Sequence, residues 1–258
     1  MNIVTLTTDY GCKDYYAGAL KSKLLQTSDN IRIVDITHEI QPFHFGMAAF
    51  QVRNALRFFS AGAIHFIDVA FSFDEIHPYL IMLYKDQYII SHDKGVFSII
   101  LDGDQPQKLY RIYTIDYVKH PSFPAIDIFP QVLKAIVNNS IETVAETFDK
   151  IQHSETIKPT IYDNMIRAGI LNIDRYENII LNIKYKEFEE YRNGRNFVIN
   201  IRRSVIIDHM YQTYEEVKLR DPIIFCNAND YLEIALNEAN LAGLIGAELN
   251  NTIQIDFL

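Results

Sequence analysis

The sequence predicts an α/β N-terminal domain with a mainly parallel sheet, followed by a smaller C-terminal β-barrel-like domain that is mostly β. Three observations carry this reading. Strand-like apolar runs alternate with helix-periodic stretches from Ile3 to Val69, the pattern of a parallel sheet covered by helices. A polar stretch without periodicity, Asp149 to Pro159, then interrupts the chain, as a linker does. Beyond it short β-rich runs recur with little helix, which suits a small barrel or a sandwich. The domains are expected at 1–150 and 160–258, with 151–159 joining them.

In chain order, Ile3 to Thr8 is a run of β-formers ending at Asp9-Tyr10-Gly11. Asp14 can cap the helix that follows, where Ala17, Leu20, Leu24 and Leu25 recur at helical spacing. Ile31 to Ile36 forms a second strand before Thr37-His38. Pro42 breaks the chain, and Ala48, Val52, Ala55, Leu56 and Phe59 mark a second helix ahead of a third strand, Ala63 to Val69. Tyr79 to Lys85 and Tyr88 to Ser91 flank a short polar turn and predict a hairpin on the same sheet. Helices are expected from Asp127 to Val137 and from Ile141 to Phe148. In the second half, strands are expected at Met165–Ile173, Ile179–Ile183, Phe197–Ile201, Ile223–Phe225 and Thr252–Phe257, with one amphipathic helix over Lys186–Tyr191.

Composition narrows the function classes. The chain has 258 residues, enough for a full core, and 48% of them are hydrophobic. A formal net charge of −9 argues against a nucleic-acid partner, because phosphate binding releases counterions only to clustered Lys and Arg. Arg192 and Arg195 with Arg202 and Arg203 are the nearest approach to a patch, and they read as a solvated face. Cys12 and Cys226 match no metal or redox spacing and read as reduced thiols. With no signal-peptide pattern at the start and no apolar run near the roughly 20 residues that cross a bilayer, no membrane role is expected, and the cytoplasm is the expected compartment.

Ligands of open α/β sheets sit beyond the carboxyl ends of the strands, a rule that nominates Asp9, Asp35 with Thr37-His38, Asp68 to Phe71, and His92-Asp93. An Asp at the end of a first strand can grip a vicinal diol, since its two oxygens accept two hydroxyl protons; it can equally cap the next turn. The eight histidines share no ligand spacing, and His65 in an apolar strand reads as a satisfied core residue, so no metal is expected. No glycine-rich phosphate loop follows the first strand, and no nucleophile-elbow Ser is present.

Several blocks carry a resemblance. Thr5-Leu6-Thr7-Thr8-Asp9-Tyr10-Gly11 and Asp14-Tyr15-Tyr16-Ala17-Gly18-Ala19-Leu20-Lys21 open it. Ile33 through Pro42, Ala48-Ala49-Phe50, His92-Asp93-Lys94-Gly95 and Asp127-Ile128-Phe129 continue it. Ile173-Asp174-Arg175-Tyr176-Glu177-Asn178, Asn182-Ile183 and Tyr231-Leu232-Glu233-Ile234-Ala235 complete it. In this order they resemble the S-adenosylmethionine hydroxide adenosyltransferases, relatives of the enzymes that make fluoro- and chloro-adenosine. The resemblance implies an N-terminal α/β domain, a C-terminal β-barrel-like domain and a homotrimer with each adenosyl site between one subunit's N-domain and its neighbour's C-domain. The implied reaction is attack by water or halide on the ribose 5′-carbon with methionine leaving. Such a displacement needs a fixed ribose and an aligned, dehydrated nucleophile, and neither cofactor nor covalent intermediate. By similarity Asp9 holds the ribose hydroxyls, Phe43 packs on the substrate and Asp174 faces the methionine amino group. Asn178, Asn227 and the chain at Leu236, Asn237 and Glu238 line the adenine side.

The departures are as informative. Where the family reads Val-Asp-Pro-Gly-Val-Gly, this chain has Val69-Ala70-Phe71-Ser72-Phe73-Asp74, so the water-orienting Asp is replaced by Ala70. The Arg position falls near His77. The family's Phe-His-Gly-Arg-Asp becomes Phe123-Pro124-Ala125-Ile126-Asp127, removing a His and an Arg. Lys94 replaces an Asn, and Glu177 and Asp230 replace glycines. Pro124 and Ile126 can relay no proton. Asp68, His77, Asp93 and Asp74 are the candidate substitutes. Three functions follow: a hydrolase giving adenosine and methionine; a weakened or inactive adenosine- or S-adenosylmethionine-binding protein with a sensing or scavenging role; or a pocket retuned to another nucleoside, since Glu177 and Asp230 alter the charge around the amino-acid end.

Overall fold

The computed structural model describes residues 1–69, 77–113, 118–154, 158–202 and 205–258. The chain divides into two compact units, Met1–Thr156 and Ile157–Leu258.

The first unit begins with β1 (Asn2–Thr8), α1 (Tyr16–Leu25), β2 (Ile31–Thr37), α2 (Phe45–Ala55) and β3 (Ile64–Asp68). β4 (Tyr79–Tyr84), β5 (Gln87–His92), α3 (Val96–Leu101), β6 (Lys108–Ile112), α4 (Ala125–Val137) and β7 (Ala145–Thr147) follow. The seven strands form one sheet in the order β2-β1-β3-β5-β4-β6-β7. The sheet is mixed, which corrects the expectation of a mainly parallel one. β1 pairs parallel with β2 and β3, and β3 with β5, but β4–β5, β4–β6 and β6–β7 are antiparallel. The reversal starts at the β4–β5 turn. Lys85 and Asp86 have φ of 50° and 58°, the left-handed pair that a two-residue hairpin turn demands. A turn that short permits only antiparallel partners.

The sheet is covered on both faces, with side chains alternating as a period of two requires. One core joins Val4, Leu6, Phe66 and Ile81 to Leu20 and Leu24 of α1 and to Phe129 and Val132 of α4. The other joins Ile67, Leu80, Met82 and Ile89 to Ala48 and Val52 of α2 and Phe97 and Ile100 of α3. Three strands are also tied across the sheet by one imidazole. His65 bonds Thr5 Oγ1 at 2.7 Å through Nδ1 and Gln87 Oε1 at 2.7 Å through Nε2. Burial pushes its pKa down to about 4, so it is a neutral, satisfied core residue.

In the first unit, local expectations and structure differ at four places. α1 starts at Tyr16 with Tyr15 at its N-cap position and no side-chain cap, so Asp14 does not cap it. The expected helix over Ile141–Phe148 is a short 3-10 turn at Ile141–Thr143 followed by β7. There β6 offers an unpaired edge, and Tyr110, Arg111 and Ile112 pair with Thr147, Glu146 and Ala145; sheet pairing overrides the helical spacing. α3 and β6 add to the expected elements, each too short for its periodicity to stand out in the sequence.

The second unit contains β8 (Thr160–Tyr162), β9 (Met165–Ile173), β10 (Ile179–Lys184), α5 (Tyr185–Arg192), β11 (Phe197–Arg202) and β12 (Val205–Ile207). It ends with β13 (Pro222–Cys226), β14 (Tyr231–Leu236), α6 (Leu241–Ile245) and β15 (Thr252–Phe257). All its described pairings are antiparallel, in the order β12-β11-β15-β9-β10-β14-β13, with β8 beside β9. The two ends of that path, β12 and β13, lie against each other, so the sheet curls into a near-closed barrel. Ile166, Ile170, Leu181, Ile199, Leu232 and Ile255 are among the side chains that fill it. Among the described residues, no helix is long and apolar enough to cross a membrane.

Candidate functional site

Some of the candidate residues come together in each unit. In the first, parallel pairing aligns the carboxyl ends of β1, β2 and β3, with Thr8 opposite Asp68. Asp9 follows β1 directly. Its Oδ2 accepts the backbone N–H of Phe43 at 3.0 Å, so these two sequence candidates come together. That bond helps hold Phe43 at φ 68°, in the left-handed region that a bulky residue rarely adopts, with the residue 77% exposed. The Phe43 ring is therefore displayed to solvent rather than packed in a core.

Asp68 ends β3 with only 1% of its surface exposed. The Tyr10 hydroxyl donates to Oδ2 and the Tyr79 hydroxyl to Oδ1, the latter at 3.5 Å. Burial pushes the Asp68 pKa up to about 7, and the Asp9 charge adds to this against the two hydroxyl bonds. The Tyr10 ring meets Phe123 edge to face at 5.5 Å and Tyr16 at 6.0 Å, and its own pKa is pushed well up by burial and by Asp68. Neither Tyr10 nor Tyr79 stands out in the sequence. The available signal is a tyrosine immediately after the nominated Asp9.

The other first-unit candidates are placed less suggestively. Asp93 is buried, and both its oxygens serve the backbone: Oδ2 accepts Gln152 N–H at 2.7 Å and Oδ1 accepts Gly95 N–H at 3.4 Å. Its pKa is raised by burial against those bonds. It pins the 152 segment to the end of β5, a structural job. His77 lies beside His92, with ring centroids 5.7 Å apart. Asp74 and Ala70 lie outside the described residues. At the end of β2, His38 Nδ1 bonds Thr8 Oγ1 at 2.8 Å and Lys21 Nζ donates to Asp35 at 2.6 Å. Pro124 stands at the N-cap position of α4, where Asp127 receives the N–H groups of Lys119 and His120 at 2.7 and 2.8 Å.

In the second unit, Asp174 closes the β9–β10 turn by accepting Tyr176 N–H and Asn178 N–H, both at 2.8 Å. Asn178 extends the network. Its amide donates to Asp174 Oδ2 at 3.2 Å, to the Tyr214 oxygen at 3.2 Å and to Glu233 Oε1 at 3.1 Å. Glu233 Oε2 in turn accepts the Asn227 amide at 3.0 Å, while Asn227 Oδ1 takes the N–H groups of Asn229 and Tyr231. Of the sequence candidates, Asp174 and Asn178 are bonded directly and Glu233 joins Asn178 to Asn227, while Tyr214 meets Asn178; Glu233 and Tyr214 were given no role in advance. Glu233 had a signal in its motif: a carboxylate inside a strand whose six positions are all buried. Burial raises its pKa, opposed by the two amides.

The chain at 236–238 splits by role. The Leu236 side chain packs in the barrel core. The Asn237 amide donates to the Tyr214 and Val217 carbonyls at 3.1 Å each, fixing the segment that carries Tyr214. Glu238 takes a left-handed φ of 51°. Glu177 takes a left-handed φ of 62° and accepts Gly243 N–H at 2.8 Å. Among the described residues, no group of His, Cys, Asp and Glu is arranged to hold a metal ion.

Comparison with known proteins places these clusters in context. Residues 4–145 match the model of the SAM hydroxide adenosyltransferase N-terminal domain and residues 168–254 that of its C-terminal domain. The (R)-S-adenosyl-L-methionine hydrolase of Methanocaldococcus jannaschii is 26% identical over 265 residues, covering 99% of this chain and 96% of its own. A conserved protein of Thermotoga maritima superposes with a TM-score of 0.87 at 20% identity, over 99% of this chain and 100% of the other. A conserved hypothetical protein of Thermus thermophilus gives 0.73 at 17% identity, over the whole of both chains. Both structures share the fold.

Proposed function

The chain belongs to the SAM hydroxide adenosyltransferase family, and from that premise we propose that it is an S-adenosyl-L-methionine hydrolase forming adenosine. The observation that carries the reading is the similarity to a hydrolase along 99% of the chain. Water attacks the ribose 5′-carbon, the carbon–sulfur bond breaks, and methionine leaves as a neutral thioether. Asp9 grips the ribose hydroxyls and Phe43 packs on the nucleoside. In the second unit, Asp174 receives the methionine amino group, while Asn178, Asn227 and the backbone at 236–238 receive the adenine. The chemistry draws on positioning and dehydration of the nucleophile, and the family resemblance supports a homotrimer.

The test is direct. The purified chain, incubated with each sulfonium epimer of S-adenosylmethionine between about pH 5 and 9, releases adenosine and methionine in equal amounts, read by chromatography. No adenosine from either epimer overturns the reading. A second reading, a binder without turnover, is favoured by Pro124 and Ile126 at the positions of a family His and Arg. Tight calorimetric binding of adenosine or S-adenosylmethionine without product identifies it.

A further inference from the structure

We propose that Tyr10 and Asp68 form a proton-accepting pair for the attacking water, Tyr10 touching the water and Asp68 acting through the Tyr10 hydroxyl. This rests on the hydrolase reading above and supplies what Ala70, Pro124 and Ile126 took away.

The geometry argues for it in three steps. The pair stands at the carboxyl edge of the parallel strands, where such sheets bind ligands, and Tyr10 is the chain neighbour of Asp9. Asp68 is buried, and buried carboxylates that serve structure are ordinarily neutralised by a base or by backbone N–H groups, as Asp93 is here. Among the described residues, the groups acting on Asp68 are instead the Tyr10 hydroxyl and the Asp9 carboxylate after β1 and the Tyr79 hydroxyl of β4. His92 of β5 packs on the Tyr79 ring at 5.1 Å. Finally, the half-buried Tyr10 residue has its ring packed against Phe123 and Tyr16, so its hydroxyl is fixed toward Asp68.

The step balances. The water oxygen bonds to the 5′-carbon as the carbon–sulfur bond breaks, and the bonding pair stays on sulfur. One water proton moves to the Tyr10 oxygen while the Tyr10 hydroxyl proton moves to Asp68 Oδ2. Tyrosine is neutral before and after, the sulfonium charge is lost, and the carboxylate becomes a carboxylic acid that returns its proton to solvent by the same path. A tyrosine whose pKa is raised suits a relay, because it stays protonated between turnovers.

The experiment measures adenosine formation by the full chain against pH. The wild-type rate should climb through about pH 7, where Asp68 loses its proton. Tyr10→Phe should lower kcat by about 100-fold or more with KM changed less than about threefold, and Asp68→Asn should abolish the rising limb. Wild-type kcat and an unchanged limb in Tyr10→Phe overturn the relay while leaving the hydrolase reading intact. A wild type that forms no adenosine overturns both. Should Asp68→Asn fail to fold, Tyr10→Phe decides alone, since it removes one oxygen atom.

Discussion

Two carboxylates, one in each unit, show how burial converts an ordinary side chain into a specialised one. Glu233 is 8% exposed and accepts one amide proton from Asn178 and another from Asn227. Glu233→Gln keeps the shape but sets an amide donor against one of those donors. A lost bond of this kind costs about 1–3 kcal/mol, so affinity for S-adenosylmethionine is expected to fall about tenfold or more by calorimetry. The folded pKa of Glu233 is raised, so acidification protonates it above the ordinary Glu range. Wild-type affinity should therefore weaken as pH falls through that raised value, while Glu233→Gln stays flat. Asp68 predicts a stability effect of opposite sense. Its pKa rises from 3.8 unfolded to about 7 folded, so the folded state holds a proton that the unfolded chain has released. Its contribution is intact below 3.8 and is lost as pH climbs to about 7. Relative to Asp68→Asn, the wild-type melting temperature should thus drop across that window.

Among elements, the β4–β5 hairpin decides the most. Its two-residue turn reverses the chain and makes half of the sheet antiparallel, yet it places Lys85 and Asp86 in the left-handed region. A side chain there is strained, and Asn tolerates the conformation better than Lys. Lys85→Asn is expected to stabilise the protein by about 0.5 kcal/mol, and Lys85→Val to destabilise it by about 1 kcal/mol, in denaturant titrations. Asp86 is a poorer site for relief. Its carboxylate accepts the Gln107 amide at 2.8 Å and its N–H donates to Gln107 Oε1 at 2.8 Å, so Asp86→Gly gains conformational ease and loses one of two bonds.

At the scale of the whole molecule, each unit has its own apolar interior, two cores around the mixed sheet and one inside the barrel. The segment between them is not uniform. Gln152 and Ser154 donate their N–H groups to Asp93 and to Ser98 Oγ. We propose domains at 1–150 and 160–258, and expect limited proteolysis to leave two resistant fragments that correspond to them, identified by mass spectrometry. Gel filtration with light scattering should give three times the chain mass, in keeping with the proposed trimer.

Much of this was legible locally. β9 and β15 fall on the runs read from alternation, because a half-buried strand writes its period into the chain. Asp9, Asp174, Asn178 and Asn227 were legible as residues beside strand ends or within recognisable blocks. The 141–148 stretch misled because Ile141, Val144, Ala145 and Phe148 repeat at helical spacing, while the edge of β6 was absent from any local window. What the sequence by itself determined was therefore the family, the two-unit order and the candidate acids at strand ends. Only the tertiary structure decided which groups those acids meet: Tyr10 with Asp68 across 58 residues, and Asn178 with Glu233 across 55. The physical reason is that strand pairing sets these partnerships, and pairing between distant segments is fixed by the register and burial of the whole sheet rather than by the residues on either side.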